Sequence, residues 1–474
     1  MNKLFKKFIE FAFGNFIVFL LGILSVVIVS RMIEPVQNGK ASMFTTFTSL
    51  IVLVITMGID QAYIRYYNDE IEENRGVLLR RSVKLPIIVN VSLGMVLLFF
   101  YKEISNLMIS ETSFIIVVLS LIHSTISIIG NFALINIRMK QKGKAYSMLG
   151  VSNKVAYLFL MVLFFGIFKD NYITIILATV LSNLIMVIVA VLYERKDWFS
   201  RGDTSLNTTT KELFTYGLPF VFSMAITWVF QSIDKISIRS FSNDYAQIGL
   251  YTGAMYIISL LNTVQGAFTT FWTPVAFEKY ASNPEDKGFF VNINEIVSLI
   301  MLLISVGLIA TKDILIILLG QKYEGAQFIF PFLVFMPIMY TVSETTVLGI
   351  NFKKKTKYHV YIAVFSAIFN VIGNLILVPM YGAKGAAIST GFSYIVFFIS
   401  RTYYGGKFYR IRFLLGRFLI STASVYILAA YSSIHKFDYV ILILSIVNMV
   451  LILFMYRDII EKLINTFNKS DRDL

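Results

Sequence analysis

The sequence predicts an all-α integral membrane protein of about fourteen transmembrane helices, arranged as two parallel six-helix lobes followed by two further helices. Three observations carry this. Of 474 residues, 57% are hydrophobic and only 15% charged, at a mean hydropathy of +0.73, whereas a soluble domain carries about 25% charged residues. The apolar residues fall in long blocks of about the 20 residues that cross a bilayer as helix, without the period-two alternation of a barrel strand. Lys and Arg gather in alternate connections between the blocks. Together these exclude a soluble enzyme, a fibrous chain and a disordered one.

In chain order the helix candidates occupy roughly 9–31, 41–63, 85–101, 113–137, 145–168, 171–193, 213–240, 247–273, 290–311, 326–350, 358–379, 385–408, 413–431 and 437–456. The first follows Lys3, Lys6 and Lys7 as a signal peptide would. It is too long, ends at Arg31 and lacks a small-residue cleavage site, so it reads as a retained span. No connection is long. The two largest are a mixed-charge stretch at 64–84 and a polar one at 194–212, whose sequon at Asn207 falls on the inner side and carries no weight. External loops are too short for the acidic catalytic domain of a membrane glycosyltransferase or ligase.

With the N-terminus inside, inner connections hold 31 of the 42 Lys and Arg, outer ones hold 10, and Lys154 alone lies within a span. Both termini are therefore expected in the cytoplasm. The same bias accounts for the net charge of +14 without a nucleic-acid partner. There is no cysteine, and His123, His359 and His435 lie far apart, so no metal site is expected.

The linker divides twelve spans six and six. This gives an N-terminal lobe at 1–194, a linker at 195–212, a second lobe at 213–408, and the last two helices with a tail at 409–474. Asn136–Tyr146 (NIRMKQKGKAY) is echoed by Asn351–Tyr358 (NFKKKTKY), and Arg31 with Gly39 by Arg239 with Gly249. Parallel repeats of this kind are a transporter architecture.

Polar groups in hydrocarbon face a partner helix or a wet cavity. Ser223, Thr227, Gln231 and Asp234/Lys235 share one face of the seventh span. Asn262, Gln265 and Thr269 mark the eighth, and Ser366, Asn370 and Asn374 the eleventh. Each stripe reads equally as interhelical bonding or as a cavity lining, and their number favours the lining. Lys154 and Glu344 lie in the inner halves of the fifth and tenth spans. As a pair they would form an inner gate, while an unpaired Lys154 would be an anion site. Asp60 and Lys235, near span ends, could equally snorkel to the interface. Six prolines in or at the ends of spans (Pro86, Pro219, Pro274, Pro331, Pro337, Pro379) permit bending.

Tyr216–Ile257, with Leu218-Pro219, Asp234 before a basic residue, Ile248-Gly249-Leu250-Tyr251 and Ala254, resembles the seventh and eighth spans of polysaccharide repeat-unit flippases of the Wzx type. These belong to the multidrug/oligosaccharidyl-lipid/polysaccharide (MOP) exporter superfamily, which includes the MATE transporters. Phe369–Tyr394, with Asn370, Asn374, Pro379, Gly382, Gly385 and Ala386-Ala387, is a second match. Gly58-Ile59-Asp60-Gln61-Ala62 with Arg65-Tyr66 is a weaker third. Lys235 departs from the family's usual Arg, which keeps the charge but loses a bidentate grip. Val36-Gln37-Asn38 replaces the usual acidic-aromatic wording of the first loop.

The resemblance implies two six-helix lobes in a V around a central cavity. It also implies that the chain moves undecaprenyl-pyrophosphate-linked oligosaccharide to the outer leaflet of a bacterial plasma membrane, for O-antigen, lipopolysaccharide or capsule. Membrane lipids, a polysaccharide polymerase and other export components are the partners that go with it. On that reading Arg31, Lys154 and Lys235 meet the pyrophosphate, and Gln231, Asn262, Gln265, Asn370 and Asn374 line the sugar path. No G-x-x-x-x-G-K-[ST] motif, cofactor site or catalytic residue is visible. Ion coupling or gating is therefore expected at Asp60, Asp234 or Glu344. A lipid II flippase and a multidrug exporter of the same fold are the rival readings.

Overall fold

The computed structural model describes residues 3–199 and 206–470, with side chains over 16–199 and 206–465. The side chains of Lys3, Lys6 and Lys7, and positions 200–205 of the expected linker, lie outside what is described. Every regular element among the described residues is helical. In order these are α1 (Lys3–Met32), α2 (Pro35–Thr56), α3 (Ile59–Tyr66), α4 (Arg75–Phe99), α5 (Tyr101–Ile109), α6 (Phe114–Met139), α7 (Gly143–Phe168), α8 (Tyr172–Tyr193), α9 (Arg195–Phe199) and α10 (Thr210–Ser242). There follow α11 (Tyr245–Ser282), α12 (Lys287–Ala310), α13 (Lys312–Leu319), α14 (Phe330–Leu333), α15 (Phe335–Thr346), α16 (Leu348–Phe352), α17 (Lys357–Tyr381), α18 (Ala383–Phe408), α19 (Leu415–Ser432), α20 (Tyr439–Met455) and α21 (Arg457–Ser470).

Each of the fourteen apolar blocks falls on helix. Among the described residues ten helices are long and apolar enough to cross a membrane, and two bent pairs raise this to twelve. The described part of α1, Phe16–Met32, is a shorter apolar helix. At 38 residues α11 is long enough, but Asn262, Gln265 and its threonines dilute its apolar content. The chain is a multi-pass membrane protein.

Two blocks break inside. The second splits at Met57 and Gly58, whose φ of 49° and 68° are left-handed, a conformation that suits glycine. A Cβ on Gly58 would also collide with the Gly217 carbonyl, and one on Gly217 would lie 2.8 Å from the Gly58 carbonyl carbon. The tenth block breaks into a short 3₁₀ segment (Gln321–Phe328), α14, α15 and α16, with a 60° bend. Pro331 and Pro337 lack the N–H that a continuous helix would bond there.

The described chain forms two compact units, Met1–Ser232 and Ile233–Leu474. In the first, Phe44, Ile116, Ile126 and Ile176 centre one buried cluster, and Tyr63, Leu79, Phe132 and Leu213 a second. In the second, Trp272, Phe290 and Tyr409 pack with Phe352. Met148, Val155, Phe159 and Val162 form an exposed stripe along α7, as a bilayer-facing helix requires.

Polar networks close both ends of the first unit. At one end Lys140 bridges Glu194 (2.6 Å) and Asp197 (2.5 Å), and Lys142 also reaches Glu194 (2.5 Å). Asn136 donates to Asp197 (2.7 Å), Arg80 to the Asp197 carbonyl (2.5 Å), and the Thr208 amide to Glu70 (2.7 Å). Connections that the sequence assigns to one side of the membrane thus meet. At the other end Lys40 and Tyr172 both bind Glu111, and the Glu34 amide donates to Asp170. Both flanks of the linker are therefore docked on the first unit.

Two outcomes are expected. Gly58→Ala should lower stability by roughly 1–3 kcal/mol, the scale of an overpacked contact, read as a fall in thermal midpoint in detergent. Asp197→Ala should cost about the same, because Lys140 loses one of its two carboxylates. Lys102→Ala, which touches neither network, should leave the midpoint unchanged.

Candidate functional site

Three of the residues expected to do chemistry, from the seventh and eleventh spans, come together in the second unit. Asp234 is buried. One carboxylate oxygen accepts from the Tyr251 hydroxyl of α11 (2.5 Å) and the Thr390 hydroxyl of α18 (2.7 Å). The other accepts from the Asn374 amide of α17 (2.8 Å). Asn370 and Asn374, one turn apart, face α18, where Ser389 donates to the Asn370 carbonyl (2.8 Å). Small residues allow this approach: a Cβ on Gly373 would strike Ser389, and one on Gly385 the Leu377 carbonyl.

The amide nitrogen of Asn374 is crowded by oxygens. Besides Asp234 it meets the Asn370 carbonyl (2.9 Å), the Asn370 side-chain oxygen and the Ser389 hydroxyl (3.3 Å). Two N–H hydrogens serve four acceptors, while the Asn374 side-chain oxygen is buried without a partner. Several hard oxygen donors converging beside a carboxylate are a donor set that suits a proton or a hard cation. Among the described residues no group of three His, Cys, Asp or Glu could hold a metal ion.

Glu344 lies elsewhere in the same unit. Its carboxylate is taken by Arg401 of α18 (2.7 Å), which also donates to Ser343 (2.8 Å) and lies over the Tyr340 and Phe397 rings at 5.0 and 5.2 Å. Both partners are buried. Lys154 is thus not alone within a span: Arg401 lies inside α18 and Lys235 inside α10. Counting charges by connection concealed Arg401, although its setting in SYIVFFISRTYY was the signal. Tyr251 stands in the Ile248-Gly249-Leu250-Tyr251 motif without a role attached, and Ser389 and Thr390 had no signal beyond being polar in apolar runs.

The remaining candidates are dispersed. Lys235 is half-buried and makes no hydrogen bond or ion pair; Asp234 faces the α11, α17 and α18 side chains instead. Asn262 is half-buried, and Gln265 bonds weakly to Thr269 (3.4 Å). Gln265 and Thr341 are the polar side chains in an otherwise apolar cavity of about 550 Å³ between α11, α12 and α15, with Phe268, Trp272 and Ile300 in its walls.

In the first unit Asp60 is buried, accepts from Gln61 (2.9 Å) and has one carboxylate oxygen without a partner. Lys154 is half-buried, with the Tyr157 ring at 5.8 Å and no carboxylate in contact. Its neighbour Asn153 continues through Asn183 (2.8 Å) to His123 (3.0 Å). Arg31 and Gln231 are exposed.

The sequence profile of a family described as "Polysaccharide biosynthesis protein" matches residues 4–280, more than half of the chain. The chain belongs to that family. A curated relative, the uncharacterized membrane protein MJ1068 of Methanocaldococcus jannaschii, is 21% identical over 79% of this chain and 78% of its own. Among solved structures, the lipid II flippase MurJ in its inward closed conformation superposes with a TM-score of 0.73 at 15% identity, over 95% of this chain and all of that one. An inward-facing MATE multidrug transporter of the MOP superfamily reaches 0.54 at 14% identity, over 82% and 93%. At these identities the likeness is one of fold: the family member has the architecture of the MOP exporters.

Arg401→Ala strands Glu344 in the interior and should cost about 3–5 kcal/mol. The double variant Arg401→Met with Glu344→Gln should regain most of it, measured as thermal midpoints of the purified protein. Equal loss in both variants would show that the cost lies in losing the Arg401–Glu344 pair or its packing rather than in a stranded carboxylate.

Proposed function

We propose that this family member is a flippase that moves undecaprenyl-pyrophosphate-linked oligosaccharide repeat units from the cytoplasmic to the outer leaflet of the bacterial plasma membrane. It works by alternating access coupled to an ion gradient, without covalent catalysis. The family match over residues 4–280 carries this reading. On it the lobes are 1–194 and 213–408, joined by the linker at 195–212, with helices 13 and 14 and the tail at 409–474. Both termini are cytoplasmic. The cargo feeds O-antigen, lipopolysaccharide or capsule synthesis, with a polymerase downstream.

Roles follow from the chemistry of each position. Lys154, Lys235 and Arg31, none with a carboxylate in contact, offer positive charge to the pyrophosphate. Gln231, Asn262 and Gln265 offer amides to sugar hydroxyls. Asn370 and Asn374, fully buried beside Asp234, serve the coupling ion rather than the sugar. Asp234 is the principal coupling carboxylate, and Asp60 with its orphan oxygen is a second. Glu344, held by Arg401, is assigned to gating.

The lipid II flippase reading is favoured by the extent of the MurJ superposition, and it differs in cargo head rather than in mechanism. A multidrug exporter fits less well, because Lys154, with no carboxylate in contact, repels cationic drugs.

Depletion in the native host should make lipid-linked repeat units accumulate on the cytoplasmic leaflet. Unchanged lipid-linked sugars with altered drug tolerance would sink the reading, and accumulated lipid II would select the alternative cargo. In proteoliposomes Asp234→Asn should reduce gradient-driven flipping by roughly an order of magnitude. Imposing sodium and proton gradients separately identifies the ion. Glu344→Gln should leave the ion dependence in place.

A further inference from the structure

After α20 the chain turns by 65° into α21. The turn is held in place by Arg417 of α19, which donates to the carbonyl of Met455, the last residue of α20 (3.0 Å), and to Asp458 in the first turn of α21 (2.8 Å). The same guanidinium binds Glu295 of α12 (3.0 Å) and lies over Tyr456 at 4.6 Å. The direction of α21 is therefore set by the packed body of the unit.

The sequence of α21, RDIIEKLINTFNKS, separates into two faces. Ile459, Ile460, Leu463 and Ile464 repeat at helical spacing on one, and Arg457, Asp458, Glu461, Lys462 and Asn465 occupy the other. Ile459 is buried at 3% exposure against the unit, whereas Ile464 is 53% exposed. That apolar face outruns its protein partner. Its edge continues the bilayer-facing stripe of α20, where Ile443, Val447, Val450 and Phe454 are all exposed. The 17 residues of α20 span about 25 Å of helix, close to the ~30 Å thickness of the hydrocarbon core. The turn thus falls where hydrocarbon gives way to headgroups.

We propose that α21 is an interfacial helix, lying along the membrane surface with Ile460, Leu463 and Ile464 in the boundary between headgroups and acyl chains. An amphipathic helix of this kind holds its apolar face at the interface while its charges stay hydrated. The occupant of the face is lipid, because the face continues a lipid-facing stripe and because basic and acidic residues are mixed on the other side without a one-signed patch.

The chain has no cysteine, so single-site labelling is clean. Ile464→Cys, Ile460→Cys and Glu461→Cys, each in the full chain in phosphatidylethanolamine–phosphatidylglycerol vesicles, are labelled with bimane. The expected result is quenching by shallow spin-labelled lipid that is several-fold stronger at Ile464 and Ile460 than at Glu461, with the reverse order for iodide. Equal iodide access at all three positions would overturn the proposal. So would cross-linking of the Ile464→Cys protein to a second copy with no lipid quenching.

Discussion

Hydrocarbon offers a buried polar group no partner, so every such group in this chain must be answered from within the protein or from an aqueous path. That constraint explains the polar clusters that gather around the buried charges Asp234 and Arg401. Asp234 collects a tyrosine, a threonine and an asparagine from three helices. Arg401 collects a carboxylate, a hydroxyl and two ring faces. Each cluster fixes the relative register of its helices, because a slip of one turn would strand a charge at a cost of several kcal/mol. Apolar packing alone fixes register weakly between helices whose surfaces are uniformly Leu, Ile, Val and Phe.

Small residues supply the close approaches that this bonding needs. Gly373 lies over Ser389 and Gly385 over the Leu377 carbonyl, bringing α17 and α18 near enough for Asn370 and Asn374 to reach across. In the first unit Gly58 and Gly217 meet backbone to backbone beside Asp60. Two of the three stretches that resemble the flippases thus touch there, at a break in the second block, and the Phe369–Tyr394 stretch builds the Asp234 cluster with residues of Tyr216–Ile257. The motif positions thus act as contact points of the fold.

The spans were legible because hydropathy is a property of single residues summed over a window. Breaks were less so. Pro331 and Pro337 announce the break in the tenth block, but the left-handed turn at Met57–Gly58 depends on Gly217, distant in sequence. Asp234, Asn370 and Asn374 stood out as costly polar groups in apolar runs, and their mutual bonding is a tertiary fact that no spacing encodes. Arg401 went unremarked because it sits near a basic connection, where a topological count absorbs it. Glu344 then looked free to pair with Lys154, when its partner was one helix away.

The contrast between Arg401 and Lys154 is informative about function. Arg401 has its charge answered within the unit. Lys154 has only the Tyr157 ring nearby, so it must reach water or await an anion. It lies eleven residues into α7 from Gly143, about 16 Å along the axis, while a lysine side chain reaches only ~6 Å. The opposite end of α7, at Phe168, is farther still. Snorkelling therefore does not relieve Lys154, and a mid-bilayer ammonium without a carboxylate is stable only where water or an anionic ligand enters. Water in a cavity meets that requirement, and so does an anionic group, whereas a cation does not.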